Sequence, residues 1–238
     1  MLLAVHGMTS SRRSWERLAR DLDGRYRLAA YDQRGHGDSA DITGPMALEQ
    51  GVRDAAGVAA ALGEPIAALL GHSWGGAVAI LAGLRLPVAR VATIDPMIRQ
   101  ASDGWYEEYL DELRASFEHT GAQRESQTRQ EFADWAPLDV EGKVHAIRTM
   151  TAAPIEGLWK ENPAPAWDLR ETIASYEKPL LLALASPGES INEDATLAEI
   201  AERRAACVEI VTFPGAGHNL HRTAFAQFAG AFSDWLAR

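Results

Sequence analysis

The chain predicts an α/β protein with a mostly parallel sheet covered by helices on both faces. Two observations predict it. Short apolar runs alternate with amphipathic stretches from the first residues to Pro96, and the same alternation returns at Pro179. Strands that alternate with helices are joined by crossovers, so neighbouring strands run parallel and both sheet faces are covered. Between the two stretches, residues 97–178 hold no convincing strand and read as a helical insertion.

The elements follow in order. Leu2-Leu3-Ala4-Val5 reads as a strand, and Trp15, Leu18, Ala19 and Leu22 mark one face of a helix. Tyr26 to Tyr31 is a second strand, followed by the loop Asp32-Gln33-Arg34-Gly35-His36-Gly37-Asp38-Ser39. Leu48, Val52, Ala55, Ala56, Ala59 and Leu62 recur at helical spacing within 46–62. Ile66 to Leu70 is a third strand, 74–86 a helix, and Val91 to Ile94 a fourth strand that ends at Asp95-Pro96. The insertion is rich in charge and in aromatics: Trp105, Tyr106, Tyr109, Phe117, Phe132, Trp135, Trp159, Trp167 and Tyr176. After it come a strand at 180–184, a helix near 194–204, a strand at 208–213 and a last helix from about Thr223 to Leu236. The core is therefore expected from 1–96 and 179–238, with 97–178 as a cap.

Composition narrows the function. The chain has 238 residues, enough to bury a full core without a disulfide or metal staple. It carries 23 basic and 33 acidic residues, a net charge of −10, which argues against a nucleic-acid partner. One cysteine, Cys207, excludes an internal disulfide and a thiolate cluster. Met1 to Val5 is too short for a signal core, and no run of about 18 apolar residues is present. A soluble, cytoplasmic protein without a membrane partner is expected. No H-E-x-x-H or H-x-H spacing occurs, so neither a metal nor another cofactor is implied, and nothing in the sequence sets the oligomeric state.

The strongest chemical signal is Gly71-His72-Ser73-Trp74-Gly75-Gly76, between a predicted strand and a predicted helix. G-x-S-x-G in that setting makes a sharp turn that presents the serine hydroxyl. The helix that follows puts its positive end under the nucleophile. A serine hydroxyl needs a base, and His218, in the glycine-flanked loop Gly215-Ala216-Gly217-His218, is the candidate. His221 is its rival, expected instead at the surface or as a helix cap. His6, His36 and His72 sit beside glycines and are expected to be structural, while His119 and His145 are expected to be solvated. The backbone N–H groups of Met8 and Trp74 are the candidate oxyanion donors.

The chain resembles the capped α/β-hydrolases. His6-Gly7-Met8-Thr9-Ser10-Ser11, Asp32-x-Arg34-Gly35-x-Gly37-x-Ser39, the turn at 71–76 and Gly215-x-Gly217-His218 stand in that family's order and spacing. The resemblance implies a nucleophile–acid–histidine order, acyl transfer through the serine and a substrate chosen by the cap. The chain begins at the strand equivalent to the family's third. The resemblance therefore implies that the opening hairpin is absent, with a six-stranded sheet expected, or that the start is incomplete.

The resemblance leaves the acid open. The family's common placement, after the strand at 180–184, meets Ala185-Ser186-Pro187-Gly188-Glu189-Ser190, where Glu189 stands nearest. The other placement is Asp95. The Ser-Pro-Gly stretch is similar to the loop of haloalkane dehalogenases that use the earlier acid, which favours Asp95 over Glu189. Ser73 in place of an aspartate nucleophile excludes halide and epoxide chemistry. The expected function is hydrolysis of ester, lactone or thioester bonds of a small apolar substrate. Proline-iminopeptidase-like cleavage, with an acidic site from Glu107, Glu108, Asp111 and Glu112, C–C bond hydrolysis, and a slow-turnover ligand-binding member of the same fold are the alternatives.

Overall fold

The computed structural model describes residues 1–41, 44–100, 111–112, 114–162 and 167–238, apart from the side chain of Trp159. Six strands form one sheet: β1 (Leu2–Val5), β2 (Leu28–Tyr31), β3 (Ala68–His72), β4 (Arg90–Ile94), β5 (Leu180–Leu184) and β6 (Val208–Thr212). Their order is β2-β1-β3-β4-β5-β6, and every pairing is parallel. The fold class read from the sequence holds.

The sheet is buried on both faces, and its strands show why. Along β1, Leu3 and Val5 join Leu69, Val91, Leu180 and Leu182 in one cluster. Leu2 and Ala4 join Ala68, Leu70, Ala92, Ile94, Leu181 and Ala183 in the other. Successive side chains point to opposite faces, so a strand that is apolar at every position feeds two cores. Helices α1 (Glu16–Asp21), α2 (Leu48–Leu62) and α3 (Trp74–Arg85) follow the first three strands, and the first core is closed by α2 and α3 through Val52, Ala55, Ala77, Val78 and Ile80. The second is closed by Trp15 and Leu18 of the first helical segment and by Phe228, Phe232 and Trp235 of the last helix.

β4 and β6 differ from the expected bounds by one residue, and β2 and β3 by two. β2 starts at Leu28 because the N–H groups of Arg25 and Tyr26 are both taken by the carbonyl of Leu22. β3 runs from Ala68 to His72, two residues later than the apolar run suggests, because pairing with β4 continues as far as His72 opposite Ile94.

The segment 97–178 divides into parts. Met97 and Ile98 at its start, and Trp167, Leu169, Ile173 and Tyr176 at its end, are buried in the first core. Tyr176 donates its hydroxyl to the carbonyl of Ile80 at 2.9 Å. Between them lie helices at Gly121–Glu131, Pro137–Thr149 and Ala153–Glu161. Thr120 and Gln123 close a reciprocal cap on the first, and Pro137 and Pro154 open the other two. Trp105, Tyr106, Tyr109, Glu107 and Glu108 lie outside the described residues. Asp111 and Glu112 are exposed. Among the described residues no helix is long and apolar enough to cross a membrane.

Candidate active site

The sheet register builds the site. His72 at the end of β3 lies opposite Ile94 at the end of β4, so the next residues, Ser73 and Asp95, leave adjacent strands side by side at one sheet edge. Both have left-handed backbones, Ser73 at φ 55° and Asp95 at φ 39°. A non-glycine residue in such a conformation costs about 1–3 kcal/mol and persists only where its surroundings fix it. They do. Ser73 N–H donates to Ile94 O at 3.0 Å, and Ser73 O accepts from the N–H of Gly76 at 2.9 Å and of Met97 at 3.0 Å. Asp95 N–H donates to Ala183 O at 2.7 Å.

The glycines beside Ser73 follow from close approach. A Cβ on Gly71 would overlap the Gly75 carbonyl, and one on Gly75 would overlap the carbonyls of Val5 and His6. The turn can therefore sit directly against β1 only with glycine at both places. Gly7 lies against the same turn, where a Cβ would come within 3.0 Å of Ser73 Cβ. This brings the loop that carries Met8 to the elbow. Trp74 is the first residue of α3, with its ring buried against Trp167.

Asp95 is fully buried and all of its acceptor capacity is used. Oδ1 accepts from Ser190 Oγ at 2.7 Å and from Ala185 N–H at 3.2 Å. Oδ2 accepts from Ile191 N–H at 2.9 Å and lies 2.7 Å from His218 Nδ1. Four polar partners hold a buried carboxylate in place and offset its desolvation. His218 arrives on the loop after β6, which is tied to the loop after β5: Gly215 N–H donates to Ser186 Oγ at 2.6 Å, and Ser186 N–H to Ala216 O at 2.9 Å. The structure thus brings together Ser73, Asp95 and His218. Glu189 is exposed, and the carboxylate at His218 Nδ1 is that of Asp95.

The other histidines divide less simply than the sequence suggests. His6 accepts from Gln33 N–H at 3.0 Å, and burial pushes its pKa down to about 3. His36 Nδ1 lies 2.9 Å from Arg34 O. His72 Nε2 donates to His218 O at 3.1 Å, which fixes the backbone of the histidine loop. His221 is not at the surface. It is buried against Trp15 and His72, and neither ring nitrogen has a hydrogen-bond partner. Burial, with Arg222 beside it, holds His221 well below the ordinary histidine range, so it stays neutral. His119 is exposed, but His145 is half-buried, with Nε2 buried and unpartnered. Among the described residues no group of three or more His, Cys, Asp or Glu side chains could hold a metal ion.

Ser73 and His218 open on one cavity of about 400 Å³. Met8, Met97 and Ile191 supply apolar wall, and Glu131, Phe132 and Lys143 of the helical insertion complete it. Two lining residues were missed by sequence reasoning. Lys143 donates to both Thr9 O and Thr9 Oγ1 at 3.0 Å. Arg222 is 4% exposed and reaches Ser10 Oγ at 3.3 Å. No periodicity marks either; the only trace is that Lys143 is one of just three lysines among the 23 basic residues.

Comparison with known proteins agrees with this architecture. The model of the alpha/beta hydrolase family matches residues 2–231. Lipase LipV of Mycobacterium tuberculosis is 32% identical over 141 residues, which cover 58% of this chain and 52% of that protein. The matched stretch therefore spans about half the length of that relative. Among solved structures, E-2-(acetamidomethylene)succinate hydrolase superposes with a TM-score of 0.79 at 22% identity, over 100% of this chain and 91% of that one. The enol-lactonase of Burkholderia xenovorans superposes with a TM-score of 0.76 at 19% identity, over the same shares. With six parallel strands, the serine turn after the third and a family match that runs almost end to end, the chain belongs to the alpha/beta hydrolase family.

Proposed function

We propose that the protein is a serine hydrolase that cleaves ester-type bonds, whether ester, lactone or thioester, of a small substrate through an acyl-enzyme. The observation that carries the reading is the bond of 2.7 Å between His218 Nδ1 and the buried Asp95, with His218 and Ser73 lining one cavity. Ser73 Oγ attacks the acyl carbon while His218 Nε2 takes its proton. Asp95 keeps the other proton on Nδ1 and stabilises the imidazolium. The oxyanion is met by the N–H groups of Met8 and Trp74. The imidazolium then protonates the leaving alcohol, lactone oxygen or thiol as the bond to it breaks. Water, deprotonated by the same histidine, releases the acid and restores Ser73.

The insertion supplies the part of the cavity that chooses the substrate, as a cap. Its contribution is mixed rather than purely apolar, with Phe132 beside Glu131 and Lys143. The lipase and the lactonase that the chain is similar to belong to the same reaction class.

The test is covalent labelling by a fluorophosphonate together with a panel of nitrophenyl esters. The wild-type protein should be labelled once and turn over short esters, and Ser73→Ala should do neither while keeping its circular dichroism spectrum. Labelling of Ser73→Ala at the wild-type rate would overturn the assignment.

A further inference from the structure

The geometry points to an anion subsite beside Ser73, formed by Lys143 and Arg222, that takes a carboxylate group of the substrate. The inference rests on the serine-hydrolase reading and names its substrate class: esters or lactones that carry a free carboxylate.

Lys143 and Arg222 reach the cavity from opposite ends of the sequence, one from the helix Pro137–Thr149 and the other from the short helix Leu220–Thr223 behind His218. They anchor on consecutive residues. Lys143 Nζ donates to the carbonyl and hydroxyl of Thr9, and Arg222 donates to the hydroxyl of Ser10. Thr9 and Ser10 directly follow Met8, and all three line the same cavity as Ser73. The two cations therefore converge beside the loop that carries the proposed oxyanion donor.

Among the described residues neither cation is in an ion pair, although Glu131 lies near Lys143 and Asp139 near Arg222. Lys143 has three N–H donors, of which two go to neutral oxygens of Thr9. Arg222 lies near the buried carboxylate of Asp139, but the ion pair of Asp139 is with Arg17, at 2.8 Å. Arg222 Nε is buried with no hydrogen-bond partner, and the guanidinium sits over the Trp135 ring, 4.4 Å from its centroid. Burial without a matching anion is unfavourable for such a group. A substrate carboxylate in the cavity would supply the missing charge. The carboxylates that also line the cavity, Glu131 and Glu189, are exposed. Arg222 is withdrawn from water and Lys143 is half-buried, so the exposed carboxylates are the better screened of the four charges. Burial and the neighbouring Arg222 push the Lys143 pKa down to about 7, so the two positive charges feel one another, and an anion between them would relieve both.

The experiment compares esters that differ only in charge. On the acyl side the pair is 4-nitrophenyl hydrogen glutarate and its methyl-capped neutral counterpart. On the leaving-group side it is 4-acetoxybenzoate and its methyl ester. The wild-type protein should prefer the acid in at least one pair, by about tenfold in kcat/KM, as expected for a charge-assisted contact. Lys143→Gln and Arg222→Gln should each reduce that acid-to-neutral ratio by about tenfold. A purely structural role lowers both members of a pair together and leaves the ratio unmoved. That result overturns the inference, as does a wild-type preference for the neutral ester in both pairs. If Arg222→Gln does not fold, Lys143→Gln and a protection assay carry the test. Glutarate, but not glutaramide, should slow fluorophosphonate labelling of the wild type, and should do so less for Lys143→Gln. Equal protection by both compounds, or by neither, also overturns it. Loss of labelling at Ser73 itself would instead remove the serine-hydrolase reading.

Discussion

The sheet beneath Ser73 is held by apolar contact on both faces, whereas the helices that complete its cavity add ion pairs to a smaller set of apolar contacts, among them Met150, Ile155 and Leu158. Leu3, Val5, Leu69, Leu70, Leu180 and Leu182 have no exposed surface at all. In the insertion, Arg129 bridges Glu125 and Glu141, Arg114 bridges Asp111 and Glu156, and Arg17 of the core reaches over to Asp139. The exposed pairs of Arg129 and Arg114 are individually worth about 0–1 kcal/mol, while a buried leucine is worth about 1.5–3. The difference assigns the tasks. Two strained residues, Ser73 and Asp95, need a base that does not yield, and the sheet provides it. The exposed ion pairs of the insertion can change at small cost, as the proposed selecting wall would require.

Substitutions can break this contrast. The largest effect should be that of Ser73→Ala, a loss of at least about 10⁴-fold in kcat/KM on every ester alike, because the chemistry resides in the sheet. Glycine substitutions come next. Gly75→Ala drives a methyl group into the carbonyls of Val5 and His6, while Gly121→Ala, at the start of an insertion helix, meets nothing within 4 Å. Thermal melts should show the first variant strongly destabilised or insoluble and the second within about 1 kcal/mol of wild type. Equal losses would mean that the two regions are equally rigid.

Smaller effects sharpen the comparison. Trp135 packs on Phe132 with ring centroids 4.2 Å apart and lies under Arg222. Trp135→Ala should reorder an ester panel by about three- to thirtyfold in relative kcat/KM without changing the labelling site. A uniform change across the panel would count against a selecting wall. The smallest effect concerns pH. Lys143, its pKa lowered to about 7 by burial and by Arg222 and raised again by Glu131, is a cation below that pH and neutral above it. Arg222, lowered to about 10 by burial, keeps its charge. The acid-to-neutral ratio of each ester pair should therefore be highest below about pH 6. It should fall by a few-fold as pH rises through about 7, without vanishing. A ratio that is flat from pH 6 to 8 would remove Lys143 from the subsite.

Much of the sheet was legible because its strands are apolar at nearly every position, and all-buried strands leave a plain trace. The elbow was legible because close approach leaves Gly71 and Gly75 no substitute. The choice between Asp95 and Glu189 was not. Asp95 follows β4, next to β3, and Glu189 follows β5, one strand further on, and only the register His72 opposite Ile94, with the inward turn at φ 39°, shows which carboxylate meets His218. His221 was misplaced because a helix start in sequence says nothing about the rings of Trp15 and His72 that bury it. Lys143 and Arg222 escaped notice for a related reason. Each is an ordinary basic residue locally, and their convergence on Thr9 and Ser10 spans 134 and 212 residues of chain.

The central claim is that Ser73 and Asp95 leave neighbouring strands of the sheet, with Asp95 orienting His218 on the loop after β6. Paired amide substitutions test it on one ester. Asparagine at 95 preserves shape but cannot hold the imidazole tautomer or stabilise its cation, and in serine proteases the same change costs about 10⁴-fold. Asp95→Asn should therefore lose several orders of magnitude in kcat while KM changes little, and Glu189→Gln should lose less than about tenfold. If Glu189→Gln is the inactive variant and Asp95→Asn retains its rate, the bond of 2.7 Å between Asp95 and His218 is not the catalytic one, and the account of the site is wrong.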